Sequence, residues 1–435
     1  MLCGTLSEST IINDYLSNYL QQILTSIYLN KQVFASESWY TRGGGGRMEA
    51  IDSVLDAVVA GGRELKAACI LVSIICSDHR CCLPVYHLSS RRGQLGLPHD
   101  LKISTFTRRY PTMFEEFYEN DSGGTRVPWF RATPEALNLH KEELLVFQQY
   151  QNDLLNRLRK LLMLTKNRTL PLQTIDQLKW DLGLPYNYLN SLIRHHPEHF
   201  SLVSLPDGRA GLRLLSWDDN LAISHLEKSS DFQTQEGVRN ENLAFPVAFT
   251  RGFGLKRKCM KWLEEWQRLP YTSPYCDSSH LDPRTDVSEK RNVGVFHELL
   301  HLTLQKKTER RNVSNLRKAL FLPQKFTKVF ERHPGIFYIS KKSDTQTVVL
   351  REAYERQKLI QKHPLADIRE KYASLMKEGV LKRSTGMYKK KRDEYLDQMR
   401  NVCGDDFVDN RYTSEGESDH NPLSEYDSDE APQNS

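Results

Sequence analysis

Apolar residues along this chain fall mostly at helical spacing, and recurring prolines cut the runs that carry them. Leu154, Leu158, Leu161 and Leu162 mark one helix. Leu172, Ile175 and Leu178 mark the face of a second, with Pro171 in its first turn and Gly183 at its end. Pro185 opens a third helix carrying Leu189, Leu192 and Ile193, and His196-Pro197 closes it, because the residue before a proline disfavours helical backbone. From Phe200 to Val203 the period changes to alternation, Pro206-Asp207-Gly208 makes a turn, and Leu212 to Leu215 return as a second strand. Three helices and a β-hairpin are the plan of a winged helix.

The same punctuation occurs three times. Leu95-Gly96-Leu97-Pro98 recurs as Leu182-Gly183-Leu184-Pro185 and, more loosely, as Leu320-Phe321-Leu322-Pro323. A second proline follows 13, 12 and 11 residues later, and each opens Pro-x-x-Phe: Pro111 to Phe114, Pro197 to Phe200, Pro334 to Phe337. A Leu-Pro lies 14 residues before Pro98 and Pro185, at Pro84 and Pro171, and the third copy lacks it. The third copy predicts helices over 295–304, 313–320 and 323–332, then strands over 336–339 and 347–350 around Ser343-Asp344. The first copy runs over 54–131, its turn at 121–124 and its leading helix broken by Gly61-Gly62. The fold class expected is mainly α, built from repeated winged-helix-like modules with a disordered acidic C-terminal tail.

Copies two and three stand 138 residues apart at the landmark proline, copies one and two only 87. This spacing predicts an atypical N-terminal segment (1–52), a first repeat (53–135), a second repeat (136–226) and a linker with a basic, aromatic segment (227–290). A third repeat (291–355), a basic helical extension (356–402) and the acidic tail (403–435) complete the chain.

Charge sharpens the picture. The tail holds ten acidic residues against Arg411, a net of −9, which leaves +14 on the rest of a chain whose total is +5. A basic body points to a polyanionic partner, for which the tail can compete. Eight cysteines form no pair of CxxC knuckles, so reduced thiols are expected rather than a structural zinc site. No apolar run approaches the roughly 20 residues of a membrane helix. The first 50 residues are not the arginine-rich, acid-poor stretch of a transit peptide.

Several stretches match a known family in words and in order. They are Leu161-Leu162-Met163-Leu164-Thr165, Leu178-Lys179-Trp180-Asp181-Leu182-Gly183-Leu184-Pro185 and Phe249-Thr250-Arg251-Gly252-Phe253-Gly254-Leu255-Lys256-Arg257-Lys258. Trp262-Leu263, Trp266-Gln267, Leu269-Pro270-Tyr271, Ser273-Pro274-Tyr275, Glu289-Lys290-Arg291, His297-Glu298-Leu299-Leu300 and His333-Pro334 follow. Over residues 54–392 the chain resembles the plant organelle RNA recognition (PORR) domain family. The resemblance implies a protein imported into mitochondria, or alternatively chloroplasts, that binds group II intron RNA and promotes its splicing, with other splicing factors as partners. The family normally begins with a basic transit peptide, which is not evident here.

His297-Glu298-Leu299-Leu300-His301 is an HExxH, and two imidazoles at i and i+4 can hold zinc beside a catalytic glutamate. Copy two, however, has Arg159 and Met163 at the matching positions, and no third ligand is evident. The expectation is a core-facing helix with the histidines at its edge, dispensable to the fold. No paired carboxylates, nucleophile–base arrangement or phosphate loop is found either. The sequence therefore predicts no catalytic residue, metal, cofactor or small-molecule substrate, and no membrane.

The stronger site candidate is 245–276. Leu255, Cys259, Trp262, Leu263 and Trp266 share one helical face and read first as core. Arg251, Lys256, Arg257 and Lys258 crowd the start of that helix, where its dipole already carries positive charge. A phosphate backbone docking there would account for them. With Lys261 on the same helix, and with Arg194, Lys325, Lys328 and Arg332 on the third helices of copies two and three, they form the expected RNA-binding set. A DNA-binding winged-helix regulator and a protein-interaction scaffold are the alternatives.

Overall fold

In the computed structural model, residues 52–121, 123–231, 243–249, 257–342 and 345–384 are described, without the side chains of Asp231 and Lys258. The N-terminal segment, the turn at Ser343-Asp344, the residues beyond 384 and the acidic tail lie outside them. What is described is mainly helical, with four small antiparallel sheets.

One order of elements occurs three times. The first set is α1 (Ser53–Val59), α2 (Gly62–Cys76), β1 (Cys82–Pro84), α3 (Val85–Ser90), α4 (Ile103–Arg109), β2 (Phe114–Asn120) and β3 (Arg126–Ala132). α5 (Pro134–Gln149) leads to the second: α6 (Gln151–Met163), β4 (Thr169–Pro171), α7 (Leu172–Leu182), α8 (Tyr188–Ser191), β5 (Phe200–Ser204) and β6 (Ala210–Leu214). Then come α9 (His225–Asp231) and α10 (Arg257–Gln267). The third set is α11 (Asp286–Leu302), β7 (Lys307–Glu309), α12 (Arg310–Leu316), α13 (Lys328–Arg332), β8 (Phe337–Ser340) and β9 (Thr347–Leu350). A small hairpin of β10 (Tyr354–Glu355) and β11 (Lys358–Leu359) precedes α14 (Pro364–Ser384).

The landmark residues have the same job in each set. Phe114, Phe200 and Phe337 start the hairpins and are buried. Their N–H groups donate to the carbonyls of Tyr110, His196 and His333, at 3.1, 3.2 and 3.0 Å. The proline between them rigidifies that turn, which carries the chain from the last helix into the sheet.

The structure corrects several expectations. Pro171 does not sit in a helix. It ends β4, pairs with Gly211 and caps α7 with extended backbone. Each hairpin carries a third, three-residue strand absent from the sequence reading, giving the orders β1-β3-β2, β4-β6-β5 and β7-β9-β8. Pro84, Pro171 and Glu309 are equivalent, each ending its short strand, so the third copy uses a glutamate where the others use proline. A strand-terminal residue that also caps a helix needs only extended ψ, which proline favours but does not monopolise. The third helices are shorter than expected: α8 gives way to a 3₁₀ turn (Ile193–His195), and α13 begins only at Lys328. α11 starts at Asp286, where the Thr285 hydroxyl accepts from the Ser288 N–H. Gly61, with φ +71°, separates α1 from α2.

The described part of the basic extension is not a separate appendage. α14 inserts Ile368, Tyr372 and Met376 into the core of the first set. Arg369 donates to the Trp180 carbonyl at 2.6 Å and lies 3.7 Å over its ring, fastening α14 to α7 as well. The second and third sets share one continuous core with Phe245, Trp266 and Tyr275.

Those two sets face each other about a pseudo-twofold axis. Residues 138 apart are equivalent, and Lys160 meets its own equivalent, Glu298, at 2.6 Å. Gln177 likewise meets its equivalent, Asn315, at 2.5 Å. Off the axis the contacts are reciprocal: Leu304 N–H donates to the Asp181 carbonyl (2.7 Å), and Lys166 N–H donates to the Ala319 carbonyl (3.2 Å). This is the isologous pattern of a symmetric dimer, built here within one chain.

Candidate nucleic-acid interface

α10 is held from three sides. Trp266 is buried, with its ring 4.4 Å from that of His333. Trp262 is half-buried, 5.9 Å from the same imidazole. Glu289 accepts from His333 at 2.9 Å and from Arg332 at 2.5 Å. Burial pushes the Glu289 carboxyl up, but these two partners outweigh it and hold it below the usual range. At the C-terminal end of α10, beside Trp266, the buried Lys290 ammonium donates to the Gln267 and Leu269 carbonyls at 2.8 and 2.6 Å. A cation there satisfies orphan carbonyls and complements the helix dipole. Burial pulls Lys290 down to about 8. The Gln267 amide clamps the Phe245 backbone with two hydrogen bonds, at 2.9 and 2.8 Å. Glu289-Lys290-Arg291 is thus, in its first two residues, a device that seats α10.

Sequence placed nine cations at the interface. Arg251 and Lys256 lie outside the described residues, as does the Lys258 side chain. Arg257 and Lys261 are exposed on α10, Lys261 standing 3.9 Å from an exposed Glu265. Arg332 is brought to the same region but is committed to Glu289. Lys325 is exposed ahead of α13, and Lys328 is half-buried on it. Arg194 is exposed on the 3₁₀ turn of the second set. Lys166, Arg168 and Lys318 are also exposed, where the second and third sets meet, and as isolated loop cations they form no pattern in the sequence.

The HExxH histidines are not at the edge of the core. His297 is 1% exposed, and His301 is enclosed too. Both Nε2 atoms stand 2.7 Å from one oxygen, Glu352 Oε1. Tetrahedral zinc ligands stand roughly 3.3 Å apart, given bonds of about 2.0–2.1 Å. His225 could complete a cluster with His301 and Glu352. Yet its ring stacks on His301 at 3.6 Å and 7°, so their lone pairs lie in nearly parallel planes that share no point where one ion could sit in both. Glu298 faces elsewhere, binding Lys160, the Tyr275 hydroxyl (2.6 Å) and the His225 N–H (2.6 Å). The geometry is a hydrogen-bonded core network in which Glu298 is bound to Lys160, Tyr275 and the His225 backbone rather than to the histidine rings. Burial pushes His301 down to about 3, against the pull of Glu352.

Comparison with known proteins agrees with these words and their order. Residues 51–381 match the plant organelle RNA recognition domain. The chain is 39% identical over 318 residues to "Protein WHAT'S THIS FACTOR 9, mitochondrial" of Arabidopsis thaliana, covering 73% of this chain and 81% of that protein. It is 31% identical to "Protein WHAT'S THIS FACTOR 1, chloroplastic" of Zea mays, covering 75% and 66%, respectively. With "Protein ROOT PRIMORDIUM DEFECTIVE 1" of Arabidopsis thaliana it shares 30% identity, over 69% and 75%. No solved structure matches. A family model spanning most of the chain, and a relative this similar over most of its length, settle the assignment: the chain belongs to the plant organelle RNA recognition domain family.

Proposed function

We propose that this chain binds group II intron RNA in a plant organelle, the mitochondrion, and promotes splicing by stabilising the intron's active fold. The intron supplies the chemistry and the protein supplies contacts, so it acts as a binding protein, with other splicing factors assembling on the same RNA. The reading rests on the family match, and the mitochondrial choice on the relative whose name carries that word. The observation that carries it structurally is the seating of α10. Lys290, Gln267 and Trp266 fix this helix from behind, which leaves Arg257 and Lys261 to face solvent. A rigid helix that presents cations meets a phosphate backbone with little ordering cost.

Each of the three sets is read as a winged-helix module: 53–135, 136–226 and 291–355, the first completed by α14. Their common element order and sheet order support this. A-form RNA has a major groove too narrow for an inserted helix, so the modules act through shape and single-stranded contacts. Arg257, Lys258 and Lys261, with Arg251 and Lys256, form the main contact set; Arg194, Lys325 and Lys328 extend it. Arg332 acts through Glu289 by holding α10 in place.

The test is to sequence RNA crosslinked to the protein in isolated mitochondria and to measure intron splicing when the protein is lost. Enrichment of particular introns, left unspliced in its absence, is the expected result. Crosslinks confined to intronless transcripts, with splicing intact, overturn the reading.

A further inference from the structure

Phe321 occupies the place that Gly96 and Gly183 hold in the other two sets. All three have left-handed backbone, with φ +55°, +68° and +79°, respectively. Gly183 ends α7 with Leu184 N–H bonded to the Lys179 carbonyl at 2.8 Å, and Phe321 repeats it, with Leu322 N–H on the Arg317 carbonyl at 3.0 Å. This is a Schellman turn, for which glycine is the unstrained choice. A phenylalanine there is strained, and it wins no core contact in return, since Phe321 is 54% exposed.

The pseudo-twofold axis shows what has changed. At one end Gly183 lies beneath the buried Leu304, and a Cβ would collide with that side chain. At the other end Leu304 is replaced by its equivalent, Lys166, and Gly183 by Phe321. The Lys166 ammonium stands 4.4 Å over the Phe321 ring, and both side chains are exposed. One end is a closed apolar contact and the other an open aromatic ring under a cation. Lys318 and Arg168 are exposed beside it, in the two turns that the Lys166–Ala319 hydrogen bond joins.

We infer that Phe321 is a stacking platform for an unpaired RNA base, with Lys166, Lys318 and Arg168 taking the adjoining phosphates. Lys166 covers one ring face and the base stacks on the other. An exposed, strained aromatic among cations has the composition of a single-strand site, and the strain marks a residue kept for something other than the fold. The inference rests on the RNA-binding reading and names a second contact region, where the second and third sets meet.

The test uses the full chain and a fluorescent, unstructured RNA of mixed sequence, comparing wild type with Phe321→Gly, Phe321→Asn and Phe321→Tyr. Glycine and asparagine both tolerate left-handed backbone, so two independent variants keep the turn. Both are expected to melt no lower than wild type yet to bind roughly 5- to 150-fold more weakly, the usual range when a base stack is removed. Tyrosine is expected to bind as wild type does. Unchanged affinity in the folded glycine and asparagine variants overturns the platform and leaves the RNA reading standing. A wild-type chain that binds no RNA overturns that reading and this site together.

Discussion

Lys160 and Glu298 hold the same position in successive repeats, 138 residues apart, and they pair with each other at 2.6 Å. A symmetric dimer would set like charges face to face on its axis. Here duplication within one chain has allowed the two copies to diverge into opposite charges. Glu298 is 1% exposed, so it is also a buried charge that needs its partner.

Removing one member of the pair leaves the other buried and unpaired. Glu298→Gln and Lys160→Met are each expected to cost about 3–5 kcal/mol, and the double variant clearly less than their sum. Urea unfolding of the four proteins measures the coupling. Strictly additive losses would show that the pair does not hold the two sets together.

The histidine network makes a separate demand on stability. Glu352→Ala strips two buried imidazoles of their common acceptor and is expected to cost on the order of 1–3 kcal/mol for each. Glu352→Gln keeps an acceptor oxygen and should cost less. His297→Ala, in a site 1% exposed, should lose on the order of 2–5 kcal/mol through the cavity it opens. Thermal melts check the order. A harmless His297→Ala would return this residue to the helix edge, where sequence reasoning had put it.

That misplacement has a physical cause. α11 is buried on nearly every face, and a helix enclosed all round has no polar stripe from which to read an edge. Prolines and Pro-x-x-Phe were legible because each fixes backbone wherever it stands. The three-residue strands were not, since three residues show no period, and Glu309 carries no proline to betray the third. Residues at equivalent positions before these strands, Cys81, Arg168 and Lys306, share φ near +50°, which no residue type there announces. Nor does any local pattern foretell that Arg369 reaches Trp180, 189 positions away. On α10 the clustered cations were legible. Their seating by Lys290 was not, because a buried lysine reads in sequence like an exposed one.

Lys306 gives a pH signature. Burial pulls its ammonium down to about 7, where it donates to the His301 carbonyl. Between pH 7 and its ordinary value near 10.5, the unfolded chain binds a proton that the folded chain does not. Stability from this group therefore rises with pH across that window. Denaturant midpoints for wild type and Lys306→Met at pH 7 and pH 9 compare the slopes. The variant is expected to show the smaller rise; equal rises would mean that Lys306 stays charged in the fold.

The central claim is that cations at the start of α10 meet an RNA backbone, and the salt dependence of binding tests it most directly. Lys256, Arg257 and Lys258 are replaced together by Gln, and affinity for a single-stranded RNA is measured over a range of salt. The melting temperature should barely move, because Trp266, Gln267 and Lys290 still seat the helix. The log–log slope is expected to flatten by about 0.7 for each phosphate that the variant no longer neutralises. A folded triple variant with an unchanged slope would contradict the claim and remove α10 from the interface.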